Sequence, residues 1–174
     1  MKNSIIISIG NELTSGHTIN SNAAFIAQFL VKFGIVNRKI IAIEDEKKDI
    51  IQALKESSDY DYVFVTGGLG PTHDDITKKV VAEYFDTELK ENQRLKKELE
   101  EFLRERDVAL SKANYDQALF PKKASIVTNE IGTAAGIHFQ ENNTDYYFLP
   151  GVPAEMERML EKYIASDLEK KKKK

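Results

Sequence analysis

Three glycines and two adjacent carboxylates follow one short apolar segment of the chain. Tyr62 to Thr66 leads into the run Gly67-Gly68-Leu69-Gly70-Pro71-Thr72-His73-Asp74-Asp75-Ile76-Thr77, after which a helical pattern begins. Glycines let backbone N–H groups approach a ligand closely, and a helix N-terminus favours negative charge, so this run predicts an anion site. The two carboxylates would repel phosphate unless a divalent cation lay between them, which is how Mg²⁺ is commonly held. The loop therefore predicts a metal-assisted phosphate site.

The paired carboxylates Asp74 and Asp75 have a second interpretation, as caps of the following helix. An aspartate at an N-cap accepts backbone N–H bonds and contributes about 1 kcal/mol. One aspartate suffices for a cap, so the pair favours a ligand or metal role for at least one of them. His73 beside them either contacts phosphate or faces solvent, and the sequence leaves both open.

Further polar residues follow other predicted strands. Glu12 comes after the first strand, and Asp45 lies in the acidic trio Glu44-Asp45-Glu46 after the second. If the first three strands are parallel neighbours, Glu12, Asp45 and the aspartate pair emerge at one edge of the sheet, where ligands bind in α/β proteins. The trio alone is also typical of a solvated turn. Gly151, before the last helix, either admits a ligand against the backbone or only forms a turn.

The spacing of apolar residues predicts alternating strands and helices. Strands are expected at 4–9, 36–43, 62–66, 125–128, 136–140 and 146–149, and helices at 19–33, 49–57, 76–84, 92–106 and from 153 onward. Ile19 and Val152 are assigned to buried faces of the first and last helices. This alternation is typical of an α/β fold, here a three-layer α/β/α architecture with a mostly parallel sheet. We expect a single domain over 1–168 and a disordered lysine-rich tail over 169–174.

Composition narrows the function classes. A chain of 174 residues with a formal net charge of -3 gives no electrostatic case for nucleic acid as a partner. The absence of cysteine excludes disulfides, thiol nucleophiles and cysteine-ligated clusters, and three histidines make a multi-histidine metal site a poor candidate. No apolar run approaches the roughly 20 residues that span a bilayer, and no signal peptide is evident. We expect a cytoplasmic protein with no membrane partner.

Several blocks of the sequence, in order along nearly the whole chain, resemble the N-terminal domain of the competence/damage-inducible CinA family, which has the molybdopterin-binding fold of MoaB and MogA. Leu69 and the doubled aspartate are specific to this branch, because pterin-pathway relatives usually carry GGTG and a single aspartate at the place of Asp75. The matching blocks are Gly10-Asn11-Glu12-Leu13 with Ser15-Gly16, Asn22, Asp45, Thr66 to Thr72 with Asp74 to Thr77, Asn114 with Gln117-Ala118, Gly132-Thr133-Ala134 with Gly136, and Leu149 to Pro153 with Glu155-Met156.

The resemblance implies a hydrolase, an ADP-ribose pyrophosphatase that uses a divalent metal ion (Mg²⁺, Mn²⁺ or Co²⁺) and yields AMP and ribose 5-phosphate. Two residues depart from the family. Asn11 stands where aspartate is common, which weakens a metal or water contact, and Ala135 stands where proline is common, which affects loop rigidity. Full-length family members also carry a nicotinamide-mononucleotide deamidase domain, and we expect that activity to be absent here. Relatives are often oligomeric, so a homo-oligomer is expected.

Together the resemblance and the residue chemistry suggest a role for each candidate residue. The loop expected to cradle the pyrophosphate through its backbone N–H groups consists of Gly67, Gly68, Leu69, Gly70, Pro71 and Thr72, of which Pro71 has no N–H to donate. Asp75, with Asp45 and Asp74, is expected to hold the metal, and Asp74 or Glu12 to act as general base. Thr72 and Thr77 are candidate hydroxyl donors to phosphate, and Asn22 and Gly151 are assigned to the nucleotide side.

Two alternative functions remain open from the sequence. One is a molybdopterin-binding or adenylylating enzyme of the molybdenum cofactor pathway, against which Leu69 and the doubled aspartate argue. The other is a non-catalytic nucleotide-binding module, which the replacement at Asn11 keeps open.

Overall fold

The computed structural model describes residues 1–172. Its strands are β1 (Asn3–Ile9), β2 (Val36–Ile43), β3 (Tyr62–Thr66), β4 (Leu89–Glu91), β5 (Leu119–Pro121), β6 (Ser125–Val127), β7 (Gly136–Glu141) and β8 (Thr144–Leu149). Its α-helices are α1 (Asn11–Thr14), α2 (Ser21–Val31), α3 (Lys47–Glu56), α4 (Thr77–Tyr84), α5 (Gln93–Glu105), α6 (Lys112–Tyr115), α7 (Pro153–Met159) and α8 (Ala165–Lys172). A 3₁₀ turn (Asp116–Ala118) follows α6, and a π-helical turn (Leu160–Ile164) joins α7 to α8.

The central sheet has six strands in the order β2-β1-β3-β8-β7-β6. The first four run parallel to one another, and β7 and β6 continue the sheet in antiparallel pairing. The helices that connect the parallel strands cover both faces of the sheet. The three-layer α/β/α fold class is therefore confirmed. A separate pair, β4 with β5, was not predicted from the sequence.

Side chains of the buried strands alternate between two apolar cores. On β1, Ile5, Ile7 and Ile9 pack on one face with residues of α3 and α4. Ile6 packs on the opposite face with residues of α2 and α7. Because both faces of the sheet are covered, β1 is buried from Ser4 to Ile9 and β3 is buried throughout.

Two apolar residues assigned to helix cores are solvent-exposed, and those predictions are wrong. Ile19 is 89% exposed, because it precedes Asn20, whose side chain caps α2 by accepting from the Ala23 amide. Val152 is 52% exposed, because it occupies the N-cap position of α7, outside the helix face that packs on the sheet.

The C-terminal helix is more ordered than the sequence predicted. It extends to Lys172, so 169–172 are helical rather than disordered, while 173–174 of the predicted tail lie outside the described residues. A partly buried polar network attaches this helix to the sheet. Lys171 Nζ lies 2.5 Å from Asp145 Oδ1 and 3.0 Å from Asp167 Oδ2, and His138 Nε2 lies 2.7 Å from the same Asp145 oxygen. Among residues 1–172, no helix is both long and apolar enough to cross a membrane.

Candidate functional site

The carboxyl ends of the four parallel strands meet at one edge of the sheet and form a cleft of about 380 Å³. The loops after β1, β2, β3 and β8 contribute to it, together with the segment that precedes β7. The predicted residues that line this cleft are Glu12, Asp45, Gly67, Gly68, Leu69, Gly70, Pro71, Asp74, Asp75 and Gly151. The expectation that Glu12, Asp45 and the aspartate pair share one edge is therefore met, because β1, β2 and β3 are parallel neighbours.

The glycine loop turns sharply against β1 and α4, and two of its glycines are required for this path. Gly67 has φ +104°, and a Cβ there would lie 2.2 Å from the Ile9 carbonyl oxygen. Gly68 has φ +69°, and its Cβ would lie 2.0 Å from Thr77 Oγ1. Gly67 N donates to Leu149 O, whereas the amides of Gly68, Leu69 and Gly70 have no backbone acceptor among residues 1–172. Consecutive free amides of this kind form an anion-binding concavity.

Asp75 stabilises the far end of the glycine loop. Its Oδ2 accepts from the Thr72 amide at 3.0 Å and also from the Thr72 hydroxyl. A carboxylate has about four lone-pair sites, so these two bonds leave capacity for another ligand. Thr72 therefore binds Asp75 and does not line the cleft, and its predicted role as a phosphate donor requires this hydroxyl to change partners.

Asp45 and Asn11 form a reciprocal pair between the β1 and β2 loops. Asp45 Oδ2 accepts from the Asn11 amide at 3.3 Å, and Asn11 Oδ1 accepts from the Asp45 amide at 3.1 Å. Burial raises the pKa of Asp45 and outweighs the hydrogen bond from Asn11, and the neighbouring charges of Glu12, Asp75 and Asp74 raise it further. Asp45 is therefore close enough to the three other carboxylates of the cleft to be affected by their charge.

These carboxylates have the chemistry of a site for a hard cation, but they do not form a preassembled cage. Among residues 1–172, no group of three acidic, histidine or cysteine side chains is close enough together to hold a metal ion. Magnesium commonly uses one or two carboxylates and takes its remaining ligands from water and substrate phosphates. Burial first, and then the charges of neighbouring carboxylates, raise the pKa of Asp45, and a divalent cation would neutralise the negative charge gathered there. The donor set therefore fits a cation that is shared with a phosphate ligand.

Two predicted binding residues lie behind the cleft instead of lining it. Thr77 is fully buried under Gly68, and its Oγ1 has no hydrogen-bond partner within residues 1–172. The predicted donation from Thr77 to phosphate does not fit this position, because the glycine loop lies over the hydroxyl. Asn22 is also buried, and its Nδ2 donates to Gly151 O at 2.9 Å. Asn22 thus positions the turn that carries Gly151, while its own Oδ1 has no partner among the described residues.

The cleft also contains residues that the sequence reasoning did not assign to the site. Glu155, on the first turn of α7, lines it together with Thr133 and Ala134. Asn129 connects these two parts, since its Nδ2 donates to Glu155 Oε2 at 2.7 Å and to Ala134 O at 2.9 Å. Thr133, Ala134 and Glu155 could have been found from the sequence, because they lie in two of the blocks that resemble the CinA family. In those two blocks only Gly151 was given a role.

The sequence matches a known domain family over almost its full length. Residues 5–170 match the family described as a probable molybdopterin binding domain. A CinA-like protein of Flavobacterium psychrophilum is 38% identical over 165 residues, covering 94% of this chain and 40% of that protein. A CinA-like protein of Cytophaga hutchinsonii is 41% identical over 156 residues, covering 89% of this chain and 37% of that protein. The chain thus spans about two fifths of the length of these relatives.

Solved structures give the same result for the fold. The crystal structure of the protein CinA from Thermoplasma acidophilum aligns with a TM-score of 0.87 and 31% identity, covering 96% of this chain and 98% of that one. The tungsten cofactor synthesizing protein MoaB from Pyrococcus furiosus aligns with a TM-score of 0.63 and 19% identity, covering 99% of this chain and 96% of that one. At that identity the second likeness is evidence for the fold alone.

Proposed function

The chain belongs to the probable molybdopterin binding domain family, as the N-terminal domain of CinA proteins, and we propose that it is a divalent-metal-dependent nucleotide pyrophosphatase. The proposed reaction converts ADP-ribose and water into AMP and ribose 5-phosphate. The observation that carries this proposal is the presence, in one cleft, of free glycine-loop amides and four carboxylates. Amides alone would suit any anion, and carboxylates alone would suit any cation. Their combination suits a metal-associated pyrophosphate.

The glycine loop would bind the pyrophosphate through the amides of Gly68, Leu69 and Gly70. Their directions are set in advance, because the loop is fixed by Gly67 at β8 and by Asp75 at Thr72. Donors that are already oriented need no rearrangement when negative charge develops on the phosphate oxygens, and this preorganisation lowers the barrier to reaction.

Asp75, with Asp45 or Asp74, would hold the divalent cation, and water and the substrate phosphates would supply its remaining ligands. When bound, such a cation neutralises charge on the phosphates and lowers the pKa of water. Asp75 contributes its remaining lone pairs while it keeps Thr72 in place. Asp45 contributes a carboxylate that is held at the β2 loop by Asn11.

Asp74 or Glu12 would accept a proton from the attacking water. Both side chains are exposed and line the cleft, so each can meet a water that approaches from solvent. The water oxygen forms a bond to one phosphorus as the bridging P–O bond breaks, and the departing phosphate keeps that electron pair. The carboxylate then holds the proton until it is released to solvent.

Binding of molybdopterin is a second candidate function, which the description of the family favours. One experiment distinguishes the pyrophosphatase activity from molybdopterin binding. The protein is incubated with ADP-ribose, FAD, NAD or ATP and with Mg²⁺, Mn²⁺ or Co²⁺, and products are separated by chromatography. We expect AMP and ribose 5-phosphate from ADP-ribose only when a metal is present. A folded protein that hydrolyses no nucleotide but binds molybdopterin would refute the pyrophosphatase proposal.

A further inference from the structure

A second cavity, of about 340 Å³, opens between α5 and the segment that precedes β7. Thr133 lines both this cavity and the cleft of the candidate site. Gly132, also in the wall of the second cavity, lies directly against the Glu155 carboxylate, which faces the cleft. The Gly132–Thr133 segment therefore lies between the two spaces, and a ligand that extends across it would reach both.

The second cavity, called here the α5 cavity, has an apolar floor. Leu95 and Leu99 are buried beneath it, and Phe102 and Ala135 are half-buried at its sides. Its volume is near the lower end of the range for small-molecule sites, so it suits one ring of a ligand rather than a whole dinucleotide. An apolar floor of this type favours an uncharged ring over a charged group.

The rim of the α5 cavity carries only hydrogen-bond acceptors among its charged groups. Glu98, Glu101 and Glu105 project from one side of α5, and Glu130 lies on the opposite wall. Basic side chains outside the cavity wall form ion pairs with these carboxylates, including Arg94 with Glu98 at 2.7 Å and Arg158 with Glu130 at 3.2 Å. The carboxylates remain acceptors toward the cavity. They favour a ring that bears N–H or O–H donors and disfavour one that carries a phosphate.

The loop that separates the two spaces is held in place from both sides. Arg94 donates to Thr128 Oγ1 at 2.9 Å, which fixes the start of this loop to α5. Asn129 fixes the middle of it to Glu155 on α7, and Tyr163 in the π-helical turn donates to Glu130 Oε1 at 2.8 Å. The α5 cavity is thus a preformed space beside the cleft, with a wall that does not depend on a ligand for its position.

We propose that the α5 cavity binds the neutral, donor-bearing ring at one end of the nucleotide whose pyrophosphate lies on the glycine loop. This inference rests on the proposed function. Two rings of ADP-ribose have this chemistry, the adenine with its amino group and the terminal ribose with its hydroxyls. Whichever of these two rings does not enter the α5 cavity would extend from the cleft in another direction. A substrate with an added phosphate on the enclosed ring would be rejected by the glutamate rim.

The test uses the two reaction products as separate probes, since AMP carries only the adenine end and ribose 5-phosphate only the terminal ribose. Ala135→Leu places extra atoms in the cavity without touching the glycine loop. We expect this substitution to raise the Kd of one product by about tenfold and to leave that of the other unchanged, by calorimetry with Mg²⁺ present. The affected product identifies the ring. The KM for ADP-ribose should rise in parallel, with kcat nearly unchanged.

A second variant protects the test against a folding defect at Ala135. The double variant Glu98→Gln/Glu101→Gln removes two rim charges from an exposed helix face, and we expect about threefold weaker binding of the same product. Glu100→Gln is the matched control, because Glu100 lies on the same helix and outside the cavity. Unchanged affinities for both products in both cavity variants, in an enzyme that hydrolyses ADP-ribose, would overturn this inference alone. A wild-type protein that neither hydrolyses ADP-ribose nor binds either product would overturn the proposed function as well.

Discussion

Replacing Gly68 by alanine tests how tightly the glycine loop packs over α4. The residue has φ +69°, which costs an alanine about 1 to 2 kcal/mol in the left-handed region. The new Cβ would also lie 2.0 Å from Thr77 Oγ1 and 2.9 Å from Thr77 Cβ, and Thr77 is fully buried. Overpacking of this kind costs about 1 to 3 kcal/mol, so we expect a total destabilisation of about 2 to 5 kcal/mol.

Gly16→Ala is the matched control for this measurement. Gly16 has φ +76°, but nothing lies within 4 Å of a Cβ placed there, so only the backbone cost of about 1 to 2 kcal/mol applies. Free energies of unfolding from denaturant titration compare the two variants. Adding Thr77→Ala to Gly68→Ala should recover about 1 kcal/mol, because the hydroxyl is the closer of the two clashes. Equal losses in Gly68→Ala and Gly16→Ala, or no recovery in the double variant, would refute the packing described here.

Two further predictions concern carboxylates at opposite ends of the sheet. Burial and neighbouring charges raise the folded-state pKa of Asp45, so the ionised side chain lowers the stability of the protein at pH 7. Asp45→Asn should therefore stabilise the metal-free protein by about 0.5 kcal/mol, measured by denaturant titration. This gain should be lost at pH 3, where Asp45 is protonated in both the folded and the unfolded state. A gain that persists at pH 3 would contradict this electrostatic origin. Asp145 is the opposite case: burial raises its pKa, but hydrogen bonds from His138 and Lys171 outweigh burial and hold the pKa below its ordinary value. Asp145→Asn should therefore cost about 2 kcal/mol at pH 7, a difference that narrows as the pH falls through the lowered pKa and that a pH series of unfolding free energies would measure.

The sequence predicted most of the sheet because its strands are marked by local composition. β2 and β3 have the predicted bounds, since each is a run rich in β-branched and aromatic residues with polar or glycine neighbours. The pair β4–β5 was missed because each strand has only three residues, too few to show an alternating pattern, and because their pairing joins segments about thirty residues apart. Whether two strands pair over that separation depends on how α5 and the rest of the intervening chain fold back. Local composition does not determine that path.

The site was predictable where strand order alone decides it. Glu12, Asp45 and the aspartate pair follow three strands whose parallel arrangement brings their carboxyl ends together. The burial of Thr77 was not predictable, because it depends on the left-handed path of Gly68 over that side chain. The contribution of Glu155 was also missed, since its place in the cleft depends on a hydrogen bond to Asn129, 26 residues earlier in the chain.

The most direct test of the proposed activity is hydrolysis of ADP-ribose by the wild-type protein and by Asp75→Asn, measured as AMP formed at increasing Mg²⁺ or Mn²⁺. An asparagine oxygen can still accept from the Thr72 amide, so the variant should keep its loop and its unfolding free energy while it loses the charge that holds the cation. We predict metal-dependent AMP formation by the wild type and a loss of about a hundredfold or more in the variant. Near-normal turnover by a folded Asp75→Asn protein, or no AMP from the wild type, would contradict the account.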